Sequence, residues 1–218
     1  DWITLIEDDE QEFVGYNNLE VNVRITRYRE VKYKDQVKYE LVFNITPFFP
    51  QGGGQVGDMG IIENKNEKID IINTKKENKL ILHYSDNLPK DITAEFSAKV
   101  NVSNRKASSR NHTATHLLHE ALRVILGEHV VQKGSLVNPS YLRFDFTHFS
   151  AIGKSDLLKI EKYVNAKILK NIALEEHVNL PLSKAKDLDV IMLFGEKYED
   201  VVRMIQFEKS KELCGGTH

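Results

Sequence analysis

Two short segments, HTATHLLH (112–119) and CGGTH (214–218), constrain the chain most, because nearly half of its length lies between them. His112 and His116 are four apart in a stretch of helical period, so both imidazoles leave one face about a turn apart. Cys214 and His218 repeat that spacing, but Gly215 and Gly216 between them favour a turn over a helix. Two nitrogens from a helix, with a sulfur and a nitrogen from a turn, compose a tetrahedral set of the kind that holds zinc. A fold that completes this set must return the end of the chain to a helix at its middle. A helical His pair alone is commonly structural; here the chain's single cysteine arrives with a histidine at a workable spacing. His119 lies on roughly the same helix face and is an alternative to His116. The zinc-protease pattern is excluded, since it needs a Glu directly after the first His and Thr113 stands there.

The chain has 218 residues, enough for one large domain or two small ones with a real core. Apolar content of 41% and charged content of 28% are those of an ordinary globular protein. No apolar run approaches membrane-spanning length, and the N-terminus lacks the basic and apolar regions of a signal peptide. One cysteine excludes an internal disulfide and suits a reducing compartment such as the cytoplasm. A net charge of −2 does not advertise a nucleic-acid binder. A local patch remains: Lys99, Arg105, Lys106 and Arg110 fall within 99–110, which holds no acid. The opening DWITLIEDD, without an initiator Met, reads as the tail of a preceding element, so the chain is expected to be an excised piece.

From 19 to 103 the apolar residues alternate. Val21, Val23 and Ile25 do so, as do Tyr39, Leu41 and Phe43, then Ile69 and Ile71, Leu80 and Leu82, and a last run of Phe96, Val100 and Val102. Asn and Lys clusters at 64–67 and 74–79 mark turns. Several short strands with close-set turns must hide their edges, which predicts a small antiparallel β-barrel. Inside it, TPFFPQGGGQVGD (46–58) carries three consecutive glycines, and no Lys-Ser/Thr pair follows them as a phosphate loop would require. Residues 104–126 read as a central helix. Ser108, Ser109 and Asn111 offer capping oxygens, Gly127 offers a stop, and Leu117, Leu118, Ala121, Leu122 and Ile125 form a buried stripe. Strands are expected near 129–137 and 141–148. A helix capped by Ser155 follows, with Leu157, Ile160, Val164 and Ile168 inward. A shorter helix from Ser183 and a strand near 201–207 complete the reading. The fold class is therefore α+β: a β-barrel-like subdomain (1–103), then an α+β subdomain (104–218) built on a central metal-binding helix.

HTATHLLH, QKGSLV (132–137), LRFDFTH (142–148), FGEKY (194–198) and ELCGGTH (212–218), together with TPFFPQGGGQVGD, resemble in order and spacing the editing domain of alanyl-tRNA synthetase. The related editing domain of threonyl-tRNA synthetase is less similar, having Cys-Arg-Gly-Pro-His where this chain has CGGTH. The resemblance implies a zinc-dependent deacylase acting on tRNA(Ala) mischarged with serine or glycine, working beside the remainder of a synthetase. One zinc per chain is implied, on His112, His116, Cys214 and His218. Thr46 matches a position implicated in sensing the serine hydroxyl, Gly53, Gly54 and Gln55 match the pocket-lining loop, and Gln132 matches a residue implicated in hydrolysis. Editing domains of synthetases often carry Ala-Glu-Ser where this chain has Pro50, Gln51 and Gly52, a form closer to the free-standing deacylases of the family. A free-standing deacylase and a non-catalytic tRNA-binding module with a structural zinc are the alternative readings.

Overall fold

A computed structural model describes residues 1–7, 10–33, 36–188, 190–192 and 198–218. Most of the FGEKY segment, and Asp8 and Asp9 of the acidic N-terminus, lie outside these residues. The described residues form strands β1 (Ile3–Thr4), β2 (Glu12–Phe13), β3 (Glu20–Tyr33), β4 (Gln36–Phe43), β5 (Ile45–Thr46), β6 (Gly60–Glu63), β7 (Lys68–Ile71), β8 (Asn73–Glu77), β9 (Leu80–Ser85) and β10 (Glu95–Val100). Helix α1 (Val102–Leu126) follows, then β11 (Gln132–Val137), β12 (Leu142–Phe146), α2 (Lys154–Leu169), β13 (Glu175–Pro181), α3 (Leu182–Asp187), β14 (Val201–Phe207) and β15 (Ser210–Leu213). The architecture is α+β with mostly antiparallel pairing; β2 and β5 form a short parallel pair. Contacts divide the chain into two units, Asp1–Ser108 with Thr217, and Ser109–Gly216 with His218.

In the first unit the strands run β7-β6-β10-β3-β4-β9-β8, with β1 on β3. Strand β3 is long enough to serve two neighbours. Glu20–Arg24 pair with β10, the register shifts between Ile25 and Arg27, and the remainder pairs with β4. Such a bulge bends a strand and sharpens its twist, so one strand can belong to both halves of a curled sheet. Alternation puts Val23, Ile25, Leu41, Phe43, Ile62, Ile69, Ile71, Phe96, Ala98 and Val100 into one buried cluster with Phe48. Each of the larger side chains contributes roughly 1.5–3 kcal/mol by leaving water. The expected barrel is not closed. No ladder among the described residues joins edge strands β7 and β8. Ile72 alone links them along the chain, and its N–H goes to Tyr84 O on β9 instead. The edges are thus joined covalently, which leaves no room for a closing pair. Val102, expected in a strand, begins α1, because Asn101 Oδ1 accepts the Asn104 N–H at 3.0 Å and caps the helix there. Ser108, Ser109 and Asn111 are therefore interior to the helix and cap nothing.

In the second unit α1, the β11–β12 hairpin and α2 enclose Ala121, Leu122, Val130 and Ile160. Gly127, at φ 118°, ends α1. Helix α2 begins at Lys154 with Gly153, not Ser155, as its cap. Its covered face runs through Ile160, Tyr163, Val164 and Lys167; Leu157 and Ile168, towards the ends, stay 50% and 53% exposed. Strands β13, β14 and β15 form an antiparallel sheet, and two of these, β13 and β15, were not foreseen. Leu117 packs on Ile205 and Phe207, which sets the β14–β15 hairpin against α1.

Candidate metal centre

Ile205 of β14 stands opposite Glu212 of β15, and the Cys214 N–H continues the ladder to Arg203 O at 3.1 Å. Glu212 and Cys214 are two apart on extended chain, so both side chains leave the same face. Beyond them the chain turns sharply. Arg203 Nη1 donates to the carbonyls of Cys214 at 3.0 Å and Gly216 at 2.7 Å, pinning the turn, while the Gly216 N–H points at Cys214 Sγ from 3.3 Å. Gly216 has to be glycine: a Cβ there would lie 2.0 Å from His112 Cε1.

This turn and α1 bring His112, His116, Cys214 and His218 together, with one donor atom from each lying within 4.8 Å of the others. Cys214 Sγ is 3.3 Å from His112 Nε2 and 3.4 Å from His218 Nε2. A tetrahedral zinc with the usual bond lengths would separate sulfur and nitrogen donors by about 3.5 Å. The His112 and His116 rings are nearly parallel, 5.4 Å apart, and His218 sits 4.8 and 4.9 Å from them. His116 Nε2 is buried without a hydrogen-bond partner, which in a polar cluster marks the direction of a ligand. These residues fit a zinc ion.

A second layer of side chains orients the first. Thr113 Oγ1 lies 3.1 Å from His218 Nδ1, so the residue that stands where a protease would have its Glu steadies a candidate ligand instead. Glu212, buried, reaches His116 Nδ1 at 2.8 Å and His119 Nδ1 at 3.1 Å. Burial disfavours charge on Glu212, but the two imidazoles overcome it and hold the carboxyl down to about 2. Burial likewise opposes charge on His116, yet Glu212 and the Cys214 sulfur raise it to about 10. Despite burial, hydrogen bonds from the surrounding imidazoles keep the Cys214 thiol well below its ordinary value. Burial pushes His218 down to about 4. The cluster is thus electron-rich, the condition under which a dication displaces protons. His119 is outside the donor group, and its Nδ1, like that of His116, is turned to Glu212. Sequence periodicity missed Glu212, Thr113 and Arg203; an acid two residues before the cysteine was the only hint available.

The other predicted site residues lie elsewhere. Thr46 is fully buried in the first unit, its Oγ1 2.7 Å from His83 Nε2 and accepting the Phe48 N–H at 3.1 Å. His83 Nδ1 lies 3.0 Å from Leu41 O and must donate to it, which leaves Nε2 bare to accept the Thr46 hydroxyl hydrogen. Burial lowers His83 to about 3, so the ring is neutral. Gly52 and Gln55 exchange backbone hydrogen bonds of 3.0 and 2.9 Å around Gly53 and Gly54, whose φ values of 56° and 80° give the turn that glycine favours. The Gln55 amide is engaged within the first unit, donating to Thr217 Oγ1 at 2.9 Å and accepting the Thr217 N–H at 3.0 Å. Asp58, last of the glycine-rich motif, accepts from Arg105 Nε at 2.9 Å and from the Phe49 N–H at 2.7 Å. Gln132 is half-buried at the start of β11, opposite Phe146, beside a register shift. The expected basic patch is reduced: Arg105 is buried on Asp58, and Lys99 is shared by Glu20 and Glu63 at 3.2 and 2.9 Å. Lys106 and Arg110 stay exposed.

A family model of class II (A) tRNA synthetases matches residues 4–106. An alanine–tRNA ligase of Flavobacterium psychrophilum is 53% identical over 228 residues, covering 100% of this chain and 26% of that protein. One from Cytophaga hutchinsonii is 52% identical over 220 residues, and one from Porphyromonas gingivalis 44% identical over 219, each covering 100% of this chain and 25% of the relative. The chain is similar, end to end, to a segment of alanine–tRNA ligases. It spans about a quarter of the length of these ligases. Both the glycine-rich loop and the His/Cys cluster fall within the aligned segment, since the whole chain aligns. No helix among the described residues is long and apolar enough to cross a membrane.

Proposed function

We propose that this chain is the editing part of an alanyl-tRNA synthetase: a zinc-dependent deacylase that frees tRNA(Ala) from wrongly attached serine and glycine. It acts in the cytoplasm beside the rest of the synthetase chain, with 1–103 as a β-rich part and 104–218 as the zinc-binding editing part. The observation that carries the reading is the convergence of His112, His116, Cys214 and His218 in a segment similar throughout to alanine–tRNA ligases. The length of those ligases favours action in cis over a free-standing deacylase.

The need for such an activity is physical. A pocket sized for alanine cannot strongly reject glycine, which is smaller, or serine, which adds one hydroxyl. A second site that hydrogen-bonds the hydroxyl separates serine from alanine far better than apolar exclusion does. A zinc ion here supplies Lewis acidity and a fixed point for the ester. Four protein donors make it a holder of geometry more than a source of activated water, because catalytic zinc sites usually keep a position open. The chain's own residues do the rest. His112, His116, Cys214 and His218 hold the metal, and Thr113 and Glu212 fix two of the imidazoles. Gly53, Gly54 and Gln55 bind substrate, and Gln132 assists hydrolysis. Thr46 has its hydroxyl hydrogen committed to His83, so its selectivity role is that of an acceptor through its remaining lone pair.

Single-turnover deacylation tests the proposal. Ser-tRNA(Ala) should lose its amino acid much faster than Ala-tRNA(Ala) does, although serine is the larger substrate. Equal rates on the two would overturn it. The complete four-donor shell also suits a structural zinc in a tRNA-binding module, and tRNA binding without deacylation of either substrate would select that reading.

A further inference from the structure

Two histidines on α1 compete for one place in the donor set, and a single carboxylate faces both. Glu212 Oε2 is 2.8 Å from His116 Nδ1, and Glu212 Oε1 is 3.1 Å from His119 Nδ1. All three side chains are buried, and Nε2 of each histidine has no hydrogen-bond partner. A carboxylate accepts only, so each Nδ1 must carry hydrogen. His116 is thereby oriented with Nε2 towards Cys214, His112 and His218, while His119 is turned with its ring against Phe144, 5.1 Å away.

We infer that Glu212 is the positioning residue of the metal centre: by accepting Nδ1–H from both histidines at once, it makes His116 a ligand and keeps His119 out. This rests on the reading that the four-donor cluster holds zinc. Two acceptor oxygens on one group are essential to it. Glutamine has the same shape but offers one acceptor and one donor. In Glu212→Gln the amide NH2 must face one imidazole, and that imidazole can accept only by moving its hydrogen to Nε2. Facing His116, the amide blocks the ligating atom. Zinc binding then requires the amide to turn to His119 instead, forcing that ring's hydrogen onto an Nε2 buried without a partner, so affinity falls in either case.

The experiment measures zinc affinity of the full 218-residue chain against a chromophoric chelator, with Co(II) absorption reporting donor type and geometry. Glu212→Gln should bind zinc roughly 10–100-fold more weakly, the range seen when outer-shell partners are altered. Glu212→Gln combined with His119→Phe should recover most of that loss, because the amide oxygen is then free for His116 alone. His119→Phe by itself should match the parent in affinity and in the cobalt spectrum. An unchanged affinity in Glu212→Gln, or a double variant weaker than the single one, would overturn the inference. So would a changed cobalt spectrum in His119→Phe, which would make His119 a ligand. The His119→Phe arm still decides if Glu212→Gln folds poorly. A parent chain that binds no zinc would instead sink the metal centre itself.

Discussion

Thr46→Val is the substitution whose consequence is most fully determined by the structure. It nearly keeps the side-chain shape and removes one hydroxyl that serves two partners. Thr46 Oγ1 donates to His83 Nε2 at 2.7 Å and accepts from the Phe48 N–H at 3.1 Å, with Thr46 and His83 both at 0% exposure. His83 cannot turn away, since Nδ1 is held by Leu41 O and the ring stacks on Phe43 with centroids 3.9 Å apart. Valine therefore strands a ring nitrogen and an amide, each costing about 1–3 kcal/mol when buried unpaired, so a total of about 2–6 kcal/mol is expected. Against a typical stability of about 5–15 kcal/mol the loss is large. The only tryptophan, Trp2, lies 4.4 Å beneath the Arg29 guanidinium on β3, so its fluorescence during urea unfolding follows this unit. Thr46→Ser retains the hydroxyl and should lose about 1 kcal/mol or less, as the removal of one buried methyl suggests. A Thr46→Val midpoint equivalent to less than about 0.5 kcal/mol of change would refute the hydrogen-bond relay. Because the relay also supports the fold, serine-over-alanine selectivity of Thr46→Val is read only where that variant remains folded.

Burial keeps His83 neutral in the folded chain, lowered to about 3 from 6.5, whereas the unfolded chain takes up the proton near 6.5. Stability should therefore fall as pH drops from 6.5 towards 3, with a loss from this group of about 2 kcal/mol between pH 7 and pH 5; His83→Gln, compared by urea titration, should flatten that slope, and an unchanged slope would exclude His83 as its source. Arg105→Met leaves Asp58 charged and sealed in the first unit, and should cost about 3–5 kcal/mol by thermal unfolding, while a loss under about 1 kcal/mol would mean Asp58 finds water. Elemental analysis should find one zinc per chain, with occupancy lowered by Cys214→Ala; full retention in a chain lacking both Cys214 and His218 would refute the donor set.

Local pattern carried the strands wherever one face is buried. Val23 with Ile25, Leu41 with Phe43, and Phe96 with Val100 alternate because the pleat sends every second side chain into the same cluster. Strand β13 has no such signal: Glu175–Val178 are all exposed, and its pairing is recognised only through β14. Barrel closure is a property of which edges meet, and no window of sequence reports that Ile72 spends its N–H on Tyr84 O. The basic stretch at 99–110 misled for a similar reason. Its cations were counted along the chain, while the acids that neutralise Lys99 and Arg105 come from Glu20, Glu63 and Asp58 on other elements.

The candidate metal centre divides between what spacing can give and what it cannot. At about 100° per residue, His116 stands near +40° from His112 and His119 near −20°, so angular position alone ranks His119 as the better companion. Rise decides otherwise: His116 is about 6 Å along the axis from His112 and His119 about 10 Å, while donors on one zinc must come within about 3.5 Å. Rise still leaves side-chain reach to be settled, and here the fold contributes an acid from the far end of the chain. Glu212 is placed by its pairing with Ile205, a contact made because Leu117 needs Ile205 and Phe207 to cover it. On the inference drawn above, Glu212 completes the choice between the two imidazoles on α1, and its placement by hydrophobic packing of the β14–β15 hairpin is something no local motif encodes. A substitution that loosens that packing, such as Ile205→Ala, should weaken zinc binding without touching any donor.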